Sequence, residues 1–291
     1  MTDETDDHTL TNRKFYRAEQ EAAFSESSPL STPQTQHPAY RLAFRDTDFL
    51  LREELRPVRF QLELLKPEML LDEAGVGSTL VMYGSARIPA PETAEALVAN
   101  ASDEAKTVAQ RLADKAKYYD EAYKLARMVS EKSIIEDGKR QFVITSGGGP
   151  SIMEAANRGA SDAGAESIGL NIVLPHEQAP NAYVTPYLSF QFHYFALRKM
   201  HFLLRARAVA VFPGGFGTFD EFFELLTLIQ TGKMKPIPIL LFGKDFWTRV
   251  IDFEAFAEEG TISKEDLDLF TWCETAEEAW AEISKFYELE G

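Results

Sequence analysis

Short apolar runs alternate with longer amphipathic stretches from Thr79 onward. Apolar runs of this length, rich in Val and Ile, are typical of the buried strands of a parallel sheet. The pattern predicts five strands, at 79–83, 141–145, 167–173, 208–212 and 237–242. It therefore predicts an α/β fold with a doubly wound parallel sheet and helices on both faces.

The stretches between these runs have helical spacing of their apolar residues. The Ala-rich segment 92–131 contains no Gly or Pro and is expected to form one or two helices. Further helices are predicted near 151–163, 194–206, 218–231, 246–258 and 275–288.

The start of the chain has a different character. Residues 1–40 are rich in acidic and small polar side chains and poor in apolar ones, which predicts a mobile acidic tail. Residues 41–76 have helically spaced apolar residues with expected breaks at Pro57 and Pro67. We expect this segment to be a helical arm that packs on the main body or on a second subunit, and 77–291 to be a single domain.

The 291 residues include 30 Lys and Arg against 46 Asp and Glu, a formal net charge of −16. This charge argues against a surface for nucleic acid or for an anionic membrane, and any anionic substrate would need local donors. No apolar run approaches the roughly 20 residues of a membrane span, and the first residues lack the order of a secretory signal. The expected protein is a cytoplasmic enzyme or binding protein.

Metal and disulfide sites are not expected. Cys273 is a single cysteine and cannot form an intrachain disulfide. The histidines have no metal-ligand spacing; they are His8, His37, His176, His193 and His201.

Glycine turns follow the predicted strands. Gly84 and Ser85 follow the first strand, residues 146–150 the second and residues 213–215 the fourth. Because the carboxyl ends of parallel strands meet at one edge of the sheet, several of these turns should face one ligand site.

The strongest of these turns reads PGGFGTFDE, at residues 213–221. Its glycines allow close backbone approach, and N–H groups at a helix start attract an anion, so the turn is interpreted as a phosphate cradle. It lacks the Gly-Lys-Ser/Thr of a Walker loop and is not the dinucleotide fingerprint. The structural alternative is a capping box, in which Thr218 and Glu221 only satisfy the first helical N–H groups.

The second turn, GGGPSIME at residues 147–154, repeats this logic. Ser151 and Glu154 have the spacing of another capping box, and a Gly-rich turn alone is weak evidence for a site. Two such turns at one edge of the sheet could contact a nucleotide from both sides.

Arg198 and Lys199 are adjacent cations on the predicted helix before the PGG turn. From the residues alone, solvated surface positions are favoured for them, because exposed bases are the norm. The rings just before them are interpreted as core or subunit-packing side chains: Phe190, Phe192, Tyr194 and Phe195.

Taken together, GSAR at 84–87, GGGPSIMEAANRGA at 147–160, Arg198 with Lys199, and PGGFGTFDE resemble the LOG family. The resemblance covers about residues 77–260 and suggests a long bacterial-type member. It implies a Rossmann-like nucleotide-binding catalytic domain. It also implies hydrolysis of the N-glycosidic bond of a purine nucleoside 5′-monophosphate to free base and ribose 5-phosphate.

The resemblance implies that Arg198 and Glu221 are the catalytic pair. It also implies nucleotide contacts, from Gly84, Ser85, Gly148, Gly149, Lys199, Gly214, Gly215, Gly217, Thr218 and Thr227. Glu221, expected in the first turn of its helix and ionised near neutral pH, would stabilise positive charge on the ribose and activate water. Arg198 would either fix that carboxylate and the sugar phosphate or place positive charge near the departing purine.

The resemblance further implies a small-molecule nucleotide ligand, no cofactor, no metal, and a homodimer or a larger homo-oligomer. AMP and an N6-prenylated, cytokinin-type nucleotide both stay open as substrate. The alternative function is a non-hydrolytic carrier of a nucleotide or pterin cofactor with a related fold. A third interpretation is a purely structural oligomer. The lysine decarboxylase label often attached to the family has no supporting pyridoxal-phosphate motif in this sequence.

Overall fold

The computed structural model describes residues 15–27, 30–175 and 179–289. Residues 1–14 and 28–29 of the predicted tail lie outside the described residues, as do His8 and His176. Contacts divide the chain into two units, residues 1–62 and 63–291. The mobility of the tail, the domain boundaries drawn from the sequence and the homo-oligomer stay predictions.

The described residues of the first unit form short helices. They are α1 (Ala18–Ser27), α2 (Pro33–Gln36), α3 (Thr47–Leu50), 3₁₀ turns at Pro38–Tyr40, Ala43–Arg45 and Glu53–Leu55, and the start of α4 (Arg56–Glu73). The break expected at Pro67 is wrong, because α4 continues through it. A proline inside a helix removes one hydrogen bond, but Pro67 and Leu71 are buried, and burial of an apolar face outweighs that cost. Pro57 lies in the first turn, where proline is tolerated.

The second unit alternates strands and helices. Its strands are β1 (Thr79–Tyr83), β2 (Ile135–Glu136), β3 (Lys139–Arg140), β4 (Val143–Ser146), β5 (Ile168–Ile172), β6 (Ser189–Phe192), β7 (Ala206–Val211), β8 (Ile239–Phe242) and β9 (Thr271–Cys273). Its helices are α5 (Pro91–Ala99), α6 (Lys106–Ala113), α7 (Ala116–Lys132), α8 (Ile152–Asp162), α9 (Phe195–Leu204), α10 (Phe216–Gln230), α11 (Lys244–Val250), α12 (Phe253–Glu258) and α13 (Ala276–Tyr287).

Two helix predictions need correction. The stretch 92–131 forms three helices rather than one or two, because α5 and α6 are separated by a turn and α7 begins again at Ala116. The helix expected at 246–258 is two, since α11 ends at Val250 and the Asp252 side chain accepts a hydrogen bond from the Ala255 N–H to start α12.

Seven strands form one parallel sheet in the order β6-β5-β4-β1-β7-β8-β9. This confirms the predicted α/β fold class with a doubly wound sheet. All five predicted strands are present, whereas β6, β9 and the β2–β3 hairpin were not predicted. The chain reverses its direction of travel across the sheet at β1, which lies between β4 and β7. Ligands bind at such a switch point, outside the carboxyl ends of the strands.

Alternating side chains of the central strand face two cores. Leu80 and Met82 point into a cluster with α7, α8 and α13, whereas Val81 and Tyr83 point into a cluster with α9 and α10. Burial on both faces explains why the strands are nearly continuous apolar runs.

No helix within the described residues is both long and apolar enough to cross a bilayer. The same residues contain no group of three His, Cys, Asp or Glu side chains that could hold a metal ion.

Candidate active site at the carboxyl edge of the sheet

The turns after β1, β4 and β7 are hydrogen-bonded to one another. The Ser85 N–H donates to the Pro213 carbonyl at 3.1 Å, and the Ile152 N–H donates to the Ser85 carbonyl at 3.4 Å. The Ser151 hydroxyl donates to the Ile88 carbonyl at 2.5 Å. The structure therefore brings the GSAR, GGG and PGG turns together at the switch point, as the sequence predicts.

Two positions of the β4 turn require glycine, because a side chain there would collide with neighbouring atoms. Gly148 has a φ of +72°, and a Cβ there would collide with the Asn171 amide. A Cβ on Gly147 would lie 2.6 Å from Arg198 Nη2, so this position allows the guanidinium to reach the turn. A larger residue at either position would displace a polar side chain of the site.

The PGG turn differs from a simple helix cap. The N-cap of α10 is Gly215, which has no side chain to cap the helix, and a Cβ added at Gly215 or Gly217 would meet no atom within 4 Å. Thr218 is buried and packs beneath Gly214. The first N–H groups of α10 thus have no side-chain cap and are available to an anion.

Neither predicted capping box forms. Thr218 and Ser151 make no capping hydrogen bond to their helices. Glu154 instead accepts a hydrogen bond from the Tyr119 hydroxyl at 3.0 Å, and Glu221 accepts one from Arg198. The capping-box interpretation is therefore wrong for both turns, because each acidic side chain contacts another helix.

Arg198 and Glu221 form a buried ion pair. Arg198 Nη1 lies 3.0 Å from Glu221 Oε1, and their side chains are 10% and 13% exposed. Arg198 Nε donates to the Leu170 carbonyl at 2.6 Å, and the guanidinium lies 4.9 Å from the centre of the Phe202 ring. The interpretation of Arg198 as a solvated surface residue is wrong, since three elements of the core hold it.

Burial raises the pKa of Glu221 to about 7, although the Arg198 charge acts to lower it. Burial therefore acts against the ionisation near neutral pH that was expected from the helix position. Helix α10 begins at Phe216, which puts Glu221 in the second turn, where the helix dipole acts weakly.

Lys199 is also paired. Its Nζ lies 3.1 Å from Asp220 Oδ1 and 3.0 Å from Glu224 Oε2, with 18% of the side chain exposed. Lys199 is therefore more enclosed than a freely solvated base, and two carboxylates of α10 balance its charge.

Thr227 is not brought to the glycine turns. Its hydroxyl donates to the Phe223 carbonyl at 2.7 Å, and its side chain lines a separate apolar cavity of about 610 Å³ with Phe253, Phe256 and Phe270. Neither Arg198 nor Glu221 lines that cavity. A nucleotide contact by Thr227 stays a prediction.

An asparagine network behind the β4 turn was missed in the sequence. Asn181 donates from its N–H to the Gly148 carbonyl at 2.8 Å and from Nδ2 to the Gly149 carbonyl at 3.0 Å. Its Nδ2 also donates to Oδ1 of Asn157, which accepts from the Ser146 hydroxyl at 2.7 Å. The available signal was Asn157, an amide on the apolar face of α8. A buried amide needs hydrogen-bond partners, and these define the network.

Comparison with known proteins gives one family match. Residues 153–283 match the family model described as "Possible lysine decarboxylase". No curated protein matches the chain significantly. Among solved structures, the chain is similar to a structural-genomics target, TM1055, with 18% identity, coverage of 72% of this chain and 99% of that chain, and a TM-score of 0.45. It is also similar to the Moco carrier protein from Chlamydomonas reinhardtii, with 17% identity, coverage of 72% and 98%, and a TM-score of 0.42.

Proposed function

We propose that this chain, a member of the LOG family by its match at residues 153–283, is a phosphoribohydrolase. Its substrate would be an adenine nucleoside 5′-monophosphate, either AMP or an N6-prenylated form. Water adds at C1′, the C1′–N9 bond breaks with its electron pair going to N9, and N9 takes up a proton. The products are free base and ribose 5-phosphate.

The observation behind this proposal is the buried Glu221 carboxyl, paired with Arg198 at the glycine-lined edge. Cleavage of a C1′–N9 bond builds positive charge on the ribose, which an adjacent carboxylate stabilises. A pKa of about 7 also suits a general base that takes a proton from water at neutral pH. A carrier without hydrolysis has no need for such a group.

Arg198 has a positioning role in this proposal. Its Nη1 holds Glu221 Oε1, and its Nε is bonded to the Leu170 carbonyl. These bonds favour the first of the two roles open from the sequence, which is to fix the carboxylate. The planar guanidinium fork makes both bonds at once, which an ammonium group cannot reproduce.

The PGG turn would hold the 5′-phosphate. The uncapped N–H groups at the start of α10 favour an anion, and this contact is remote from the bond that breaks. Phosphate binding there would keep C1′ in register with Glu221, which lies one turn further along the same helix.

The proposal predicts catalytic release of base from AMP. Purified protein incubated with AMP, N6-isopentenyl-AMP and adenosine should give many equivalents of free base from at least one nucleotide and much less from adenosine, because adenosine lacks the phosphate. Chromatography of the free base measures this result.

Three other results would support a different function or a different role for the phosphate. Tight nucleotide binding without base release would favour the non-hydrolytic carrier. Absence of both binding and release would leave only a structural role. Equal turnover of AMP and adenosine would show that the 5′-phosphate is not required for turnover, but it would still support a hydrolase.

A further inference from the structure

The two cations predicted at this site do not supply unpaired positive charge. Arg198 is balanced by Glu221, and Lys199 lies between Asp220 and Glu224. A nucleoside monophosphate has two negative charges on its phosphate near neutral pH, and the chain itself has a formal charge of −16. Binding such a ligand at this edge calls for positive charge that is not already neutralised, in addition to the N–H groups of α10.

Arg87 meets this requirement by its position. It follows β1 in the GSAR turn. It lies between Ser85 and Ile88, which are hydrogen-bonded to the PGG turn and the GGG turn. Ser85 donates its N–H to the Pro213 carbonyl, and the Ile88 carbonyl accepts from the Ser151 hydroxyl. The Arg87 N–H donates to Ser85 Oγ at 2.9 Å, which fixes the backbone of the turn.

The side chain of Arg87 is exposed while its backbone is anchored. Within the described part of the chain, no hydrogen bond or ion pair engages its guanidinium. Another exposed cation at the same edge, Lys244, follows β8, which is two strands away from β1. Its Nζ lies 5.8 Å from the centre of the Trp272 ring. Arg87 is therefore an exposed cation two residues along the chain from the Ser85–Pro213 hydrogen bond.

We propose that Arg87 binds the 5′-phosphate of the substrate, opposite the N–H groups of α10. This inference rests on the proposed function. The guanidinium fork donates two parallel hydrogen bonds to phosphate oxygens, and the PGG turn donates from the other side. The requirement for a phosphorylated substrate then comes from Arg87 and the α10 terminus together.

The test compares Arg87→Ala, Arg87→Lys and the matched control Lys244→Ala. Loss of a charge-assisted pair should raise KM for AMP and Kd for ribose 5-phosphate by about tenfold to a hundredfold in Arg87→Ala, with a smaller change in kcat. Arg87→Lys should recover part of this loss. Lys244→Ala removes the same charge from the same edge and should stay near the wild type. Calorimetry with ribose 5-phosphate gives a readout independent of turnover.

The possible outcomes separate this inference from the hydrolase proposal. If the wild type hydrolyses AMP and Arg87→Ala has the same KM and Kd, the inference is overturned and the hydrolase stands. If ribose 5-phosphate binds in an Arg87-dependent way but no base is released, the inference stands and the hydrolase fails. An equal loss of affinity in Lys244→Ala, or no binding of ribose 5-phosphate by the wild type, overturns the inference.

Discussion

Glu221→Gln is expected to lower kcat for AMP by about a hundredfold to a thousandfold. The amide has the same shape but neither stabilises positive charge on the ribose nor takes a proton from water. Because phosphate contacts lie at the PGG turn and at Arg87, Kd for AMP should change little. Turnover measured with saturating AMP, together with calorimetric binding, checks both parts.

The matched control for this change is Glu224→Gln. Glu224 lies on the same helix and is paired with Lys199, so its substitution removes the same charge from α10 at a position away from the pair. Turnover near wild type in Glu224→Gln and loss of turnover in Glu221→Gln would assign the effect to position 221. Full turnover in Glu221→Gln would remove Glu221 from the catalytic role.

Arg198→Ala is expected to lower kcat/KM at pH 7 by about a hundredfold and to move the pH profile. In the wild type, kcat/KM should rise as pH increases through about 7, because the ionised form of Glu221 is the active one. Burial raises the pKa of Glu221, and the Arg198 charge lowers it. Without that charge the pKa rises, so the acid limb of the profile should shift to higher pH.

A pH–rate profile distinguishes this effect from simple unfolding. Part of the loss in Arg198→Ala should be recovered at alkaline pH, whereas a misfolded variant would be inactive throughout. Arg198→Lys retains a positive charge but not the fork that also reaches the Leu170 carbonyl, so its acid limb should lie between the other two. An unchanged limb in Arg198→Ala would show that Arg198 does not control the ionisation of Glu221.

The central strands could be predicted from the sequence because both their faces are buried. Strands such as 79–83 and 239–242 are continuous apolar runs that end in glycine turns. The two strands of the main sheet that were missed are its edges. Ser189–Phe192 alternates polar and apolar residues, and Thr271–Cys273 has three residues, so neither resembles a buried run.

The motifs identified Arg198 and Glu221, which the structure brings together, but they do not reveal the burial that raises the pKa of Glu221. The pKa of Glu221 depends on its burial and on the nearby Arg198 charge, and both are decided by tertiary packing rather than by position within a helix. The role of Asn181 was hidden for a similar reason. It lies 32 residues after Gly149 and contacts that turn only because the chain returns to it.

The most direct test of the account is a crystal structure of Glu221→Gln with AMP bound, since this variant should hold the substrate intact. We expect the phosphate between Arg87 and the PGG turn. We expect C1′ within about 4 Å of the residue 221 side chain, or bridged to it by one water. AMP bound with its C1′ far from residue 221, or in the cavity lined by Thr227, would contradict the account.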